Sequence, residues 1–321
     1  MIKIVINWLE IIEKEVIRRK NMRKSILSLV CTAILAISIV PTVPTLAATS
    51  DVYYTTQHGV ELTQTEYENL TKVYTPDELD CLPIPFIEQT KRDTQLQLVD
   101  SDEAFVVTKT YYNQDGQVTR SISREVSETE AMMGSAAPET KQSATIDTSY
   151  KQLTLKLVVG ASINAKKVTI TNKWLKLPKV RSFDVLAVRP GALSATLFTG
   201  DFSAAQNYDG KSITYSFYGD NTKAGTSWST GQGGIGTSMN IVDNVSNSLS
   251  NSMAVTFTTG AVPFTIYGTY QHATSEVTLA QSKNYAFSSS GLGNVLKFAS
   301  SVSDKYDAMK GISVTFDPDN L

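Results

Sequence analysis

Cysteine and histidine are nearly missing from this chain, with two of each among 321 residues. Structural zinc sites usually take four such ligands, so zinc chemistry has little to work with. Charge is scarce as well. Asp, Glu, Lys and Arg make up 19% of the sequence and the formal net charge is −2, which excludes a strongly basic nucleic-acid binder and does not suit an acidic disordered chain. The longest apolar run, Ile26 to Val40, has 15 residues, short of the ~20 a membrane-spanning helix wants, and Pro41 ends it.

What is present first is a targeting pattern. Arg23-Lys24 precedes the apolar run, and small residues follow it at Thr45 and Ala47, or at Ala48 behind Leu46. A positive start, an apolar middle and a small-residue cleavage site make a secretory signal, with the mature chain beginning near Ala48. Residues 1 to 21 would be an odd opening for such a signal, and Met22 reads as the natural start. Cys31 lies behind Leu29-Val30, without the small residue a lipidation signal wants. After cleavage only Cys81 remains, so no internal disulfide is expected and stability must come from packing.

The rest divides by charge. Residues 48–147 carry 18 acidic and 7 basic side chains, whereas residues 148–321 carry 10 acidic and 15 basic. Between them, residues 127–148 are rich in Ser, Thr, Ala and Glu and lack apolar periodicity, which predicts a linker. The expected organisation is an extension plus signal (1–47), a small acidic region (48–126), the linker (127–148) and a β domain (149–321).

Thr63-Gln-Thr-Glu66 and Thr75-Pro-Asp-Glu78 are capping boxes, and Tyr67, Leu70, Val73 and Tyr74 follow the first on one helical face. They predict a short helical hairpin ended by Pro83 and Pro85. Strands are expected at Thr94 to Val99 and Ala104 to Tyr112, the latter turning through Asn113 to Gly116 into Val118 to Val126. A core of fewer than ~70 residues is marginal, so this region needs a surface to lean on.

Beyond the linker, runs rich in Val, Ile, Thr, Phe and Tyr recur at Leu153 to Val159, Lys167 to Leu175, Ser182 to Val188, Ser212 to Tyr218, Ile235 to Val242, Met253 to Thr258, Phe264 to Tyr270 and Ile312 to Phe316. Only Ser303 to Met309 looks briefly helical, so βαβ crossovers are excluded. The fold class is mainly β: a C-terminal β-sandwich of about eight or nine strands preceded by a small α+β N-terminal region.

The phrases His58-Gly-Val-Glu-Leu-Thr-Gln-Thr-Glu-Tyr67-Glu-Asn-Leu70, Tyr74-Thr-Pro-Asp-Glu78 and Trp174-Leu-Lys-Leu-Pro178-Lys-Val-Arg181-Ser-Phe-Asp184-Val resemble a group of uncharacterised secreted proteins of Gram-positive bacteria. The resemblance covers the short helical region and the C-terminal domain. It implies export from a Gram-positive cell and brings no activity or site residues with it.

Catalytic equipment is thin. Residues 149–321 hold one histidine, His272, and one glutamate, Glu276, four positions later. Asp184, Asp201, Asp209, Asp220 and Asp243 could in principle supply a glycosidase pair, but Asp201, Asp209 and Asp220 adjoin Gly or Asn, where aspartate serves turns. A structural hydrogen bond is the simpler role for His272. Cys81 lacks electropositive neighbours that would activate a thiol. Gly231-Gln-Gly-Gly-Ile-Gly236 spells a dinucleotide loop, but Ser/Thr-rich strand sequence follows where a helix should open, so a flexible inter-strand loop is expected and no cofactor is implied.

Two patterns remain. Lys166, Lys167, Lys173, Lys176, Lys179 and Arg181 put six cations in 16 residues. Strand alternation sends Val168, Ile170 and Trp174 to one face and Lys167 and Lys173 to the other. The candidate ligand-binding residues are therefore Lys167, Lys173, Lys176, Lys179 and Arg181, facing anionic cell-wall polymer such as teichoic acid, polysaccharide or lipid headgroups. A solvated strand face and the acidic half of the same chain are the competing readings. From Met239 to Phe257, Met239, Ile241, Val245, Leu249, Met253, Val255 and Phe257 fall on odd positions among Asn, Ser and Thr. A core-facing hairpin bent around residues 244–251 gives that pattern, and so does a membrane-inserting β-hairpin.

The sequence reading is an exported binding or structural module, extracellular or cell-wall associated and more consistent with a non-enzyme. Its alternatives are a β-pore-forming protein using residues 239–257 and a secreted hydrolase.

Overall fold

The computed structural model describes residues 51–137, 146–161, 165–191, 201–217, 227–231, 233–258, 262–288 and 295–320; the expected signal segment and Asp220 lie outside them. The chain is mainly β, as its composition of short β-branched runs requires. After a two-residue pair, β1 (Tyr54–Thr55) and β2 (Glu61–Leu62), come helices α1 (Gln64–Leu70) and α2 (Pro76–Leu79). Both expected capping boxes are formed: Glu66 N–H donates to Thr63 Oγ1 at 3.3 Å, and Thr63 N–H donates to Glu66 Oε2 at 2.9 Å. The two prolines expected to end this hairpin instead start a third helix, α3 (Ile84–Thr90), with Pro83 at its cap and Pro85 in the first turn. A missing N–H costs nothing there.

The strands follow as β3 (Gln97–Tyr112), β4 (Val118–Val126), β5 (Ile146–Val159), β6 (Ala165–Lys176), β7 (Phe183–Pro190), β8 (Phe202–Tyr208), β9 (Lys211–Ser216), β10 (Trp228–Gly231), β11 (Gly234–Asn240), β12 (Leu249–Thr258), β13 (Phe264–Gln271), β14 (Tyr285–Phe287), β15 (Leu296–Phe298) and β16 (Ile312–Phe316). Helices α4 (Glu128–Ala136) and α5 (Leu279–Ser282) interrupt them. A seven-stranded sheet runs β4-β3-β5-β6-β12-β8-β9, and a five-stranded sheet runs β10-β11-β7-β13-β16. All their pairings are antiparallel.

The charge break is not a break in the sheet. Strand β3, from the acidic half, pairs with β5 from Gln97–Val159 to Tyr111–Ile146, and Asp51–Leu321 forms one compact unit. One continuous strand with a bulge between Leu98 and Asp100 replaces the two short ones expected. Within the stretch read as a linker, Ser127 caps α4 by accepting from Glu130 N–H at 3.2 Å, and Ala131 is buried.

Alternation sorts the side chains into three apolar clusters. Leu153, Leu155 and Leu157 of β5, Val168, Ile170 and Trp174 of β6, Leu186 and Val188 of β7, and Met253, Val255 and Phe257 of β12 meet between the sheets. On the outer face of the larger sheet, Val158 and Ala254 carry a second cluster containing Leu62, Leu70, Tyr74, Leu79, Phe86 and Ile87, so the acidic region leans on the sandwich. On the outer face of the smaller sheet, Val185 and Ala187 carry Ala273, Val277, Leu296 and Tyr306.

Met239 to Phe257 is not a hairpin. Its first arm lies in β11, paired with β10 and β7; its second lies in β12, paired with β6 and β8. The segment crosses from one sheet to the other, and all seven of its odd-position apolar residues point into the main core. Gly231 pairs with Gly234, and Gly233 adopts a φ of 100°. A strand rather than a helix follows, whereas a dinucleotide loop opens a helix. Phe287 leaves no room for a Cβ at Gly234, where one would fall 2.4 Å from the ring.

Candidate functional site

The chemistry of this sandwich is concentrated at one end of its interior, where each strand's inward column changes from apolar to polar. Lys151 continues the parity of Leu153 and Leu155 in β5; Asp184 precedes Leu186 in β7; Gln206, Asn251 and Tyr270 occupy the matching inward positions of β8, β12 and β13. All are buried, as are His272 and Asp307 just beyond the strands.

Buried polar atoms need partners, and these have them. Gln206 Nε2 donates to Asn251 Oδ1 at 3.0 Å, and Asn251 Nδ2 donates to the Tyr270 hydroxyl at 2.9 Å. The Tyr270 hydroxyl donates to Asp184, which also contacts His272 Nδ1 at 3.0 Å and accepts from Ala273 N–H at 2.8 Å. From His272 the chain of contacts passes through backbone: its N–H donates to Asp307 Oδ1 at 2.7 Å, and Asp307 N–H returns to His272 O at 2.9 Å. Lys151 Nζ meets Asp307 Oδ2 in a wholly buried ion pair, and Thr108 Oγ1 donates to the same oxygen at 3.3 Å. Trp174 stands edge-on to His272 at 4.9 Å, and Lys151 Nζ lies 5.0 Å from the Tyr270 ring centre. Burial, reinforced by Asp184, pushes the Tyr270 phenol well above its ordinary value.

Sequence reading anticipated only part of this. His272 makes a hydrogen bond, as expected, and its partner is Asp184 rather than Glu276. Lys151 and Asp307 were not singled out at all. The available signal was the placement of Asp184 next to the apolar run Val185 to Val188, and of Lys151 at the head of the Leu153, Leu155, Leu157 column: charged residues on a core-facing parity. Of the aspartates assigned to turns, Asp209 adopts a φ of 46° and accepts from the amides of Ser246, Asn247 and Ser248 at 2.8 to 3.0 Å. Those backbone bonds hold its carboxyl far below the ordinary carboxylate range. Asp201 accepts from Gln89 Nε2 at 2.9 Å, and Asp243 offers its carbonyl to Arg181. Cys81 is buried, which raises its thiol despite a hydrogen bond to Ser250.

The basic strand is largely engaged within the chain. Lys167 projects to the outer face, as alternation requires, but pairs with Asp93 at 2.7 Å and is 7% exposed. Lys173 pairs with Asp77 at 3.2 Å, and Lys156 of β5 pairs with Glu78 at 2.6 Å while donating to Val73 O at 2.9 Å. Three lysines thus meet carboxylates of the acidic region that packs on this face. Lys166 points the other way, with its Nζ 4.2 Å from the Phe316 ring centre. Arg181 donates to the carbonyls of Val242 at 3.0 Å, Asp243 and Val245 at 3.3 Å, tying down the inter-sheet crossover. Lys176 is half-buried and Lys179 exposed. Burial works on Asp93 in the raising direction, yet the hydrogen bond and charge of Lys167, with the amides of Gln95 and Ala161, outweigh it and hold the carboxyl below its ordinary value.

No protein-family model matches the chain, and no curated protein matches it. Among solved structures, a collagen-binding domain of the Erysipelothrix rhusiopathiae surface protein RspB is similar at 8% identity, with a TM-score of 0.24, over 53% of this chain and 65% of that one. The chain therefore spans less than two thirds of that domain, and the assignment of a role falls to the residues themselves.

Proposed function

We propose that this chain is an exported binding or structural module acting at the cell surface or in the medium, not a hydrolase. One observation carries the reading: the acid–base pair His272 and Asp184 is sealed in the sandwich, at 2% and 1% exposure, where no external substrate reaches it. A proton-transfer group must lie within hydrogen-bond reach of the substrate atom it serves. These groups are instead consumed by one another, by Tyr270 and by Ala273 N–H, so their work is to brace two sheets. Contact with a partner then falls to the outer surface. There the residues from Lys173 to Lys179 keep exposed or half-exposed ammonium groups, and the pair of Lys173 with Asp77, at 42% and 80% side-chain exposure, is of the weak surface kind. A polyanion such as teichoic acid or acidic polysaccharide would be drawn to Lys173, Lys176 and Lys179.

Retention of the purified protein on anionic cell walls tests this. Replacing Lys173, Lys176 and Lys179 with Ser should weaken retention, and raising salt should weaken the wild type in parallel, because exposed charges are screened over ~8–10 Å at physiological strength. Retention indifferent to both would remove the polyanion as partner.

A further inference from the structure

We propose that Lys151 and Asp307 condense to a covalent amide, so that the two sheets are joined by a side-chain cross-link. The pair is the most completely enclosed ionic contact among the described residues, with both side chains at 0% exposure. It joins β5 of the larger sheet to the segment just before β16 of the smaller one, across a sequence separation of 156 residues.

Both partners are held where reaction needs them. Lys151 lies in register between Val106 of β3 and Trp174 of β6, so its backbone is fixed on both sides. Asp307 is fixed by the bridge between Ala273 and Tyr306, by its own N–H on His272 O, and by Met309, whose carbonyl accepts from Gln271 Nε2 at 2.9 Å. Two groups confined in contact have effective concentrations on the order of 10⁵ M or more, enough to reverse the unfavourable condensation of free amine and acid in water. The surroundings favour the product as well. A buried ion pair bears the desolvation of two charges, whereas an amide between the same atoms bears none.

The carboxyl is already polarised. Oδ1 accepts the His272 N–H at 2.7 Å, the position of a donor to a developing oxyanion, and Oδ2 accepts the Thr108 hydroxyl at 3.3 Å. Proton transfer within the pair gives amine and carboxylic acid. The Nζ lone pair then attacks Cγ, the Nζ–Cγ bond forms, and the Cγ–Oδ2 bond breaks. Oδ2 departs as water carrying two of the three ammonium hydrogens, and the third stays on the amide nitrogen. No oxidant or co-reactant is required. Such a link would serve an exported chain whose described residues hold a single free cysteine, Cys81, and hence no disulfide.

Intact-mass measurement of the full chain under denaturing conditions decides the matter. The wild type should weigh one water less than its sequence, and a tryptic digest should yield a branched peptide joining the segments around Lys151 and Asp307, with no cleavage after Lys151. Lys151→Arg and Asp307→Ala should return to full sequence mass, and Asp307→Asn should lose one ammonia in place of water. Because mass is read on unfolded chains, the wild-type result does not depend on how well a variant folds. A wild type at full sequence mass overturns the proposal. So does a missing water that persists in Lys151→Arg, since dehydration at Asp115-Gly116 or Asp209-Gly210 would behave that way.

Discussion

Removing the Asp184 carboxyl is the sharpest perturbation of the brace between the sheets. Three donors depend on it: the Tyr270 hydroxyl, His272 Nδ1 and Ala273 N–H. In Asp184→Ala all three lose their acceptor in a region closed to water, where each stranded donor costs about 1–3 kcal/mol. The small void left behind adds a little, so the loss should reach about 3–9 kcal/mol. That is a large fraction of the ~5–15 kcal/mol that holds an ordinary domain folded. At about 2–4 °C per kcal/mol for a chain of this size, Tm should fall by roughly 6–36 °C. Asp184→Asn keeps one acceptor oxygen and should lose about half as much. Urea titrations of wild type and both variants measure this directly, with the shift in midpoint at constant slope giving the free-energy difference. The reasoning fails if Asp184→Ala stays within about 0.5 kcal/mol of wild type, the range of an ordinary surface substitution. Equal losses for the alanine and asparagine variants would also defeat it, because the acceptor would then not be what matters.

Ile241, 1% exposed in the core, tests the storage of the alternating segment: Ile241→Asp should cost about 4 kcal/mol or more by stranding a charge, and the intact protein should release no dye from liposomes. Dye release by wild type that this variant loses while melting normally would restore the pore reading. Asp93, held below its ordinary value beside Lys167, gives stability that is present above the unfolded carboxylate pKa of ~3.9 and is lost as pH falls through the lower folded value. Acid unfolding of Asp93→Asn should therefore show a flatter dependence on pH below ~4 than the wild type, and an unchanged profile would show that the pair adds nothing. At Gly268 an added Cβ would fall 2.7 Å from Ile170 Cδ1 and 3.2 Å from Leu155 Cδ1, so Gly268→Ala should destabilise by about 1–3 kcal/mol. Ile170→Val in the same chain should restore part of that, and strict additivity of the two losses would argue against the steric account.

Local chemistry was written plainly in the sequence. The capping boxes at Thr63 and Thr75 satisfy helix N-termini with side chains three residues away, so they form wherever the segment lands. Alternation in Lys167 to Trp174 fixed which residues face the core, because the pleat leaves a strand two faces. Two strands of the large sheets, β8 and β10, escaped notice, as did the short pairs β1–β2 and β14–β15: Phe202–Tyr208 is rich in Ala, Gln and Asn, and Trp228–Gly231 is only four residues long. Helix α4 escaped for lack of an apolar stripe. What periodicity could not say is which strand lies beside which. Tertiary structure alone decided that β3 crosses the charge break to pair with β5, that β11 and β12 part into different sheets, and that the acidic region would set Asp93 and Asp77 against Lys167 and Lys173 of β6. The same holds for the polar interior. Asp184 meets a histidine 88 residues away and Lys151 an aspartate 156 residues away, and such encounters depend on the register of two whole sheets, to which no local window of sequence has access.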